Sequence, residues 1–524
     1  MGFRKRVTIN LLATWGDHVI GLAVGLILMP FVLGVLGDAK YGMWIFINSI
    51  AGYSGLLNLG LGQTISRYVA THHAKGEREE LNRVVNVIGA VYLVMGLIAL
   101  GIAGVIAWLS PNLWPSTTIP TTELIWVILI LGINVAVSIT GSVFGGVLVG
   151  MQRFDLERGI TVTSGLVRFV LTLVFLQQDW GLLILALIFL MTTLVENVGL
   201  VIAAFRLVPE MRLGRRYLSR RTLKECYSFS VFALLEMVAN RLIESTDCVV
   251  IGCIFGAEAI VPYYVAQRLC QFITKPLQFV GQVCLPRAGE LHAKHQMAEL
   301  RELVTRAMGL SWLLTMGFFI GAAFFGPVLI ETWVHKPYPQ SHVLLMVLLG
   351  GQLVATPMKV ICGVLFGIGD VRKPAMTYIV EALFNFALSL ILIFPFGLLG
   401  VAVATLIPLY LIELAILLPY ALRKLEMNPR QFVGEVFLPQ VAPLVALLGY
   451  SMVVSSRIPL TPGWHHMLAV AGGGAVALGA TWLIQHQLVA WLGTNTLRRH
   501  ANKIAQTNES APGLRLDEAI SPRG

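Results

Sequence analysis

Charge is scarce in this chain. Only 13% of its 524 residues are Asp, Glu, Lys or Arg, 56% are hydrophobic, and the mean hydropathy is +0.77. A soluble domain carries about a quarter of its residues as charges, so a soluble enzyme is excluded. Motifs of covalent and nucleotide chemistry are also missing. No Lys follows a Gly, which removes the Gly-Lys-Ser/Thr phosphate loop and any ATP-driven module within this polypeptide. There is no His-Glu-x-x-His, no Cys-x-x-Cys and no Gly-x-Ser-x-Gly. The six cysteines, at 226, 248, 253, 270, 284 and 362, fall in or at the ends of apolar runs and read as small packing residues, with no disulfide framework and no metal site.

What fills the chain is a succession of apolar runs of about 20 residues, each long enough to cross a bilayer. Fourteen are expected, at roughly 8–36, 41–65, 86–110, 123–149, 159–178, 182–205, 226–255, 261–286, 307–332, 342–367, 376–394, 399–422, 436–455 and 465–492. Phe3-Arg4-Lys5-Arg6 precedes the first, but no small-residue cleavage site follows and Asp17-His18 interrupts the run, so it reads as a retained span. The net charge of +10 does not point to nucleic acid. Of the 38 Lys and Arg, Lys40, Lys336 and Arg457 fall in loops on one side, and Arg168, Arg241, Arg268, Lys275 and Lys359 lie within spans. The other 30 occupy the opposite side, which by the positive-inside rule is cytoplasmic, together with both termini. Trp108, Trp114, Trp126, Trp180, Trp333 and Trp464 gather at the outer span ends as an interfacial belt. The outer loops are short, the longest near Pro111–Thr122, and leave no room for an extracytoplasmic catalytic domain.

A weak repeat organises the spans. Gly146-Val-Leu-Val-Gly150 recurs as Gly363-Val-Leu-Phe-Gly367, an offset of 217. Leu166-Val-Arg-Phe169 meets Leu383-Phe-Asn-Phe386 at the same offset, Glu196 falls on Glu413 and Arg206 on Arg423. Upstream the register drifts. The expected fold is an all-α polytopic membrane protein with two pseudo-twofold related six-helix lobes and two extra C-terminal helices. The divisions are 1–206 for the first lobe, 207–225 for a basic inter-lobe loop, 226–423 for the second lobe, 424–492 for spans 13 and 14, and 493–524 for a polar tail without regular structure. In transporters built this way the substrate path runs between the halves.

Charges inside spans are costly and normally face a cavity or one another. They concentrate between Glu236 and Lys275. Arg241, Glu244 and Asp247 follow one another at three-residue steps on span 7 and are expected to share a face; Arg268 and Lys275, seven apart on span 8, share another. Two readings stand: a salt-bridge ladder of Glu244 or Asp247 with Arg268, or a cationic cavity receiving a phosphate or other acidic group, with the acids as counter-ions. Glu196 and Glu413 sit at equivalent depths as cross-helix hydrogen-bonding carboxyls or proton carriers. Glu381 and Asn385, one turn apart on span 11, offer polar glue or oxygens for a cation. Asp17 faces either the inner mouth of the cavity or the lobe packing, and Lys359 either snorkels to the interface or joins the cavity cations.

Asn10-Leu-Leu, Pro30, Leu36-Gly37, Tyr41-Gly42-Met-Trp44, Leu57-Asn-Leu-Gly60-Leu-Gly62, Arg67, Tyr263-Tyr-Val-Ala-Gln-Arg268-Leu and Leu285-Pro286 resemble the polysaccharide transporter, or O-antigen flippase, branch of the multidrug/oligosaccharidyl-lipid/polysaccharide exporter superfamily. The resemblance covers about residues 5–492 and lies in pattern and topology. It implies a two-lobe carrier in the cytoplasmic membrane that moves undecaprenyl-diphosphate-linked oligosaccharide from the inner to the outer leaflet. The family's cavity cations would map onto Arg241, Arg268 and Lys275, with Arg168 and Lys359 beside them. Related lipid II flippases hold sodium with an acid on span 7 and an Asn/Asp pair on span 11. Asp247 with Glu381 and Asn385 resembles that set with acid and amide reversed. Spans 13 and 14 would groove the polyprenyl tail by the same analogy. No cofactor is implied, and H+ or Na+ gradients are the candidate energy sources. Membrane lipids, a polysaccharide polymerase and glycosyltransferases are the implied partners. The rivals are a drug or cation antiporter of the same fold, a lipid II flippase, and a non-transporting scaffold of polysaccharide synthesis.

Overall fold

The computed structural model describes residues 3–114, 119–176, 181–458 and 461–509. At 3–15, 17, 18, 63, 113, 227–236, 240, 244, 486 and 488–509 the side chains are not among the described ones, so Asp17, Glu236 and Glu244 lie outside the account of side-chain contacts. The elements are α1 (Phe3–Gly52), a 3₁₀ turn (Tyr53–Asn58), α2 (Leu61–Lys75), α3 (Arg78–Leu113), α4 (Thr121–Gly150), α5 (Phe154–Phe175), α6 (Gly181–Leu207), α7 (Arg220–Phe255), α8 (Ile260–Ala293), α9 (Met297–Val334), α10 (Pro339–Gly367), α11 (Arg372–Leu409), a π-helical segment (Tyr410–Leu417), α12 (Leu418–Lys424), α13 (Pro429–Val436), α14 (Val441–Arg457) and α15 (Trp464–Glu509). No strand occurs among the described residues.

Ten segments among the described residues are long and apolar enough to cross a membrane. Two of them, Val19–Asn58 and Arg372–Lys424, are double, with non-helical glycines at Gly37 and Gly397. Gly400 lies against the Leu392 carbonyl, so the second double segment turns back on itself. Twelve of the fourteen expected spans are thereby accounted for on apolarity alone. The remaining two are α7, whose described apolar stretch is Ser245–Phe255, and α8, whose polar face carries Gln267, Arg268, Gln271, Lys275 and Gln278. The tail expected to lack regular structure is helical through Glu509 as the end of α15; 510–524 lie outside the described residues.

The two lobes repeat down to individual hydrogen bonds. After α4, Met151 N bonds Val147 O, Gln152 N bonds Val149 O and Arg153 N bonds Leu148 O. After α10 the same three bonds recur 217 residues later, at Ile368 to Val364, Gly369 to Phe366 and Asp370 to Leu365. Gln152 and its counterpart Gly369 both take left-handed φ, at 56° and 85°. Earlier in the lobes the offset is 219: Gly37 matches Gly256 with near-identical backbone (φ 72°, ψ 174° and φ 87°, ψ 168°), and Gly76 matches His295. The upstream drift is thus a two-residue difference, and it falls at the α3–α4 connection, longer than its α9–α10 counterpart.

The hydrophobic cores show how the lobes meet. One buried cluster joins both lobes at the Lys/Arg-poor end, running from Leu33, Met43 and Phe46 to Ile251, Tyr263, Trp333 and Leu345. Towards the basic end each lobe keeps its own core, around Ile65, Val84 and Val147 in the first and Val304, Ile361 and Phe432 in the second. Trp333, fully buried, donates its indole N–H to Leu26 O at 2.7 Å, and Asp38 takes both Lys336 Nζ (2.9 Å) and Tyr338 OH (2.8 Å). Gly42 seats directly on the α7–α8 turn; a Cβ there would stand 2.0 Å from Ala257 O. Gly42→Val must therefore separate the lobes at this end. Spin labels at Ala39 and Pro337 would report a longer distance than in the unmodified protein, and an unchanged distance would contradict the contact.

Candidate functional site

Between the lobes lies a cavity of about 540 Å³, walled by α1 and α6 on one side and by α7 and α8 on the other. Three expected cations reach it: Arg241, Arg268 and Lys275. The α8 contribution follows from helical spacing. Tyr264, Gln267 or Arg268, Gln271 and Lys275 recur at steps of three and four, placing these five polar side chains on one face. Arg268 Nε donates to Tyr264 OH at 2.7 Å, its guanidinium carbon lies 4.8 Å from the same ring, and Nη1 reaches Gln271 Oε1 at 3.4 Å. A guanidinium has five N–H donors, so this anchoring orients Arg268 and leaves donors for a ligand. Arg241 lies against the 3₁₀ turn, where a Cβ on Gly55 would come within 3.3 Å of its Nε. Tyr53 OH pairs with Thr246 Oγ1 across the lobes at 2.6 Å and holds that turn against α7.

Asp247 does not share this cavity. Two three-residue steps turn a helix back by about 120°, so Asp247 points away from Arg241 into the second lobe, and the expected common face of Arg241 and Asp247 does not form. The described salt bridges include none from Asp247 to Arg268. Instead Asp247 Oδ2 accepts Tyr263 OH at 2.5 Å and lies 3.4 Å from Thr405 Oγ1. Asn385 Nδ2 donates to that same hydroxyl at 2.9 Å. A second cavity of about 180 Å³ is lined by Asp247, Glu381, Thr405, Glu413 and Lys359. In this lobe Asp247 Oδ1, Asn385 Oδ1, Glu381 Oε2 and Glu413 Oε2 are buried without a hydrogen-bond partner. Lys275, Gln267 and Gln271 line both cavities and form the wall between them.

Two other expected cavity cations sit elsewhere. Lys359 neither snorkels nor faces the central cavity, because Tyr378 holds it: Nζ donates to the phenol at 2.8 Å and stands 4.2 Å from the ring centroid. Arg168 stands one layer behind the wall, bonded to Thr192 Oγ1 (2.9 Å) and Thr193 Oγ1 (3.4 Å) and 4.4 Å over the Phe189 ring, which itself lines the cavity. Glu196 accepts Thr161 OH at 3.1 Å, a cross-helix bond, whereas its repeat partner Glu413 is buried inside the π-helical segment. Such segments widen a helix by one residue per turn and recur at functional sites. Tyr264, Gln267, Gln271, Tyr378, Thr405 and the π segment carry no prior assignment from the sequence; the helical phase of the two glutamines with Arg268 was the available signal. No group of three or more His, Cys, Asp or Glu suited to a metal occurs among the described residues.

The family model described as "Polysaccharide biosynthesis protein" matches residues 77–341. The chain belongs to this polysaccharide biosynthesis protein family. Its relatives include the putative O-antigen transporter of Shigella flexneri, 17% identical over 380 residues, covering 72% of this chain and 88% of the relative. The probable low-salt glycan biosynthesis flippase Agl15 of Haloferax volcanii is 19% identical over 187 residues, a match spanning 36% of this chain and 40% of that relative. Among solved structures, the lipid II flippase MurJ in an inward closed conformation superposes with a TM-score of 0.71 at 15% identity, over 92% of this chain and 98% of that one. An inward-facing multidrug resistance MATE family transporter gives 0.60 at 17% identity, over 80% and 97%. The chain therefore shares the fold of these transporters. Thr405→Val would strip Asn385 and Asp247 of their shared hydroxyl. Leaving buried polar groups unsatisfied costs about 1–3 kcal/mol, read as a lower thermal midpoint in detergent; an unchanged midpoint would contradict the bridge.

Proposed function

We propose that the protein is a flippase that carries a lipid-linked oligosaccharide across the cytoplasmic membrane by alternating access. The observation that carries this reading is the convergence of Arg241, Arg268 and Lys275 on one cavity walled by both lobes. A diphosphate spreads charge over several oxygens and matches fixed guanidinium donors. Asn48, Ser49, Gln267 and Gln271 offer hydroxyl and amide partners to sugars, and the polyprenyl tail stays in the bilayer. The relatives named as O-antigen transporter and glycan biosynthesis flippase support the substrate class. A cationic drug would be repelled by the three cations, which disfavours the antiporter reading despite the shared fold.

The basic end of the bundle is taken as cytoplasmic, with both termini there. The shared core then closes the outer side and the described state is inward-facing. Asp247, Asn385 and Thr405 supply oxygens for a coupling H+ or Na+, with Glu381 and Glu413 beside them. Glycosyltransferases that build the oligosaccharide and a polymerase that consumes it are the expected partners.

Removing a charge-assisted contact costs about 1.5–3 kcal/mol. Arg268→Ala is therefore expected to cut flipping roughly tenfold to a hundredfold, with surface polysaccharide lost while the protein stays folded in the membrane, and Arg268→Lys to retain part of it. Normal polysaccharide in the Ala strain would refute the cavity assignment and favour a scaffold. Asp247→Asn should abolish the dependence of transport in proteoliposomes on an imposed ion gradient. Full gradient dependence in that variant would remove Asp247 from the coupling site.

A further inference from the structure

The stretch between the lobes has no part in the transport account, yet it is the most cationic on the molecule. Arg206 to Lys224 holds seven basic residues and one acid, Glu210. It is not a slack linker. Two asparagines one turn apart on α3 clasp its backbone: Asn82 Oδ1 accepts Arg212 N at 2.8 Å and Asn82 Nδ2 donates to Glu210 O at 3.2 Å. Asn86 Oδ1 accepts Gly214 N at 2.8 Å and Asn86 Nδ2 donates to Arg212 O at 2.8 Å. The clasp turns Arg212, Arg215 and Arg216 outward, all exposed. The nearby acids are already held, Glu210 by Arg78 at 2.6 Å and Glu225 by Arg221 at 2.9 Å, so the protein itself leaves the strap positive.

Beneath the strap lies an apolar groove of about 470 Å³, lined by Val87, Val91 and Val94 of α3 and by Leu218 and Leu223, with Ser219 and Arg220 at its rim. Beside the groove α3 carries Leu93 and Leu97, which are 52% and 60% exposed within a segment apolar enough to cross a membrane. Leu213 and Leu218, 57% and 50% exposed, alternate with the arginines. Alternation of basic and exposed apolar residues beside a span end suits the headgroup boundary of a membrane. An acidic peptide would satisfy the charges but not a groove open to hydrocarbon. We propose that the Asn82/Asn86-clasped strap and the groove below it form a binding site for an anionic glycerophospholipid, its phosphate headgroup on Arg215, Arg216 and Arg220 and one acyl chain along Val87, Val91 and Leu223.

The site sits where the lobes are joined. Cys226 of α7 belongs to the first lobe's core, whereas Cys248 to Ile251 of the same helix belong to the core shared by both lobes. A lipid bound here braces α7 against α3.

The test is a lipid titration of the full-length detergent-purified protein by native mass spectrometry. Phosphatidylglycerol is expected to bind at least tenfold more tightly than phosphatidylcholine, and glycerol 3-phosphate not to bind measurably. At about 1 kcal/mol per basic residue near an anionic surface, Arg215→Gln/Arg216→Gln/Arg220→Gln should weaken phosphatidylglycerol roughly a hundredfold, and the corresponding triple Lys variant should restore it. Val91→Trp, which fills the groove and keeps every charge, should weaken it as well, whereas Leu97→Trp, outside the groove, should not. Equal binding of phosphatidylcholine, or unchanged binding in both the Gln and Val91→Trp variants, would overturn the site. Tight glycerol 3-phosphate binding would reduce it to a headgroup-only anion site and overturn the lipid. Displacement of phosphatidylglycerol by undecaprenyl diphosphate at these residues would make it a substrate entrance instead and equally overturn the proposal.

Discussion

Positive charge held at bilayer depth is the constraint on which the rest of this structure depends. Arg241, Arg268 and Lys275 cannot face lipid, so the helices carrying them must enclose a polar space and something must compensate the charge. For Arg268 the chain meets this with neutral partners. Tyr264 and Gln271 position Arg268, and neither is an acid that would neutralise it. An Arg paired to Asp247 would have made a salt-bridged, inert seam. Asp247 instead turns into the second lobe and keeps company with Tyr263, Thr405 and Asn385. Arg241 and Arg268 thereby face one cavity and Asp247, Glu381 and Glu413 a second, which Lys359 also lines, and Lys275 with Gln267 and Gln271 is the wall between them.

A cavity between two lobes requires that they touch somewhere else. They do so at the Lys/Arg-poor end, where contact is close enough that Gly42 has no room for a side chain and Trp333 is fully buried against the first lobe. At the basic end the two lobes hold separate cores. Packed interfaces of this kind have discrete alternatives rather than continuous deformations. Separate cores at the basic end allow each lobe to move as a body about the core they share at the other end.

The fold was largely legible in the chain because spans and their repeat are written in hydropathy and in Gly146-Val-Leu-Val-Gly150 with its counterpart. The backbone confirms the latter by identical capping bonds after α4 and α10. The upstream register was not legible, because a two-residue difference in one connection leaves no trace in apolar sequence. Arg268 and Lys275 were found by charge at membrane depth and by their seven-residue spacing. Arg241 and Asp247 were grouped wrongly because successive three-residue steps precess around a helix. Lys359 and Arg168 were beyond reach for a different reason: their partners Tyr378, Thr192 and Phe189 lie on other helices, and only tertiary packing brings them together.

The central claim is that the three cations recognise a lipid-borne diphosphate. Its most direct test compares binding of undecaprenyl diphosphate and undecaprenol to the purified protein by native mass spectrometry, in the unmodified form and with Arg241, Arg268 and Lys275 all replaced by glutamine. The account predicts a preference for the diphosphate of at least a hundredfold that collapses in the triple variant. Equal binding of the two lipids, or a preference that survives the triple variant, would contradict it.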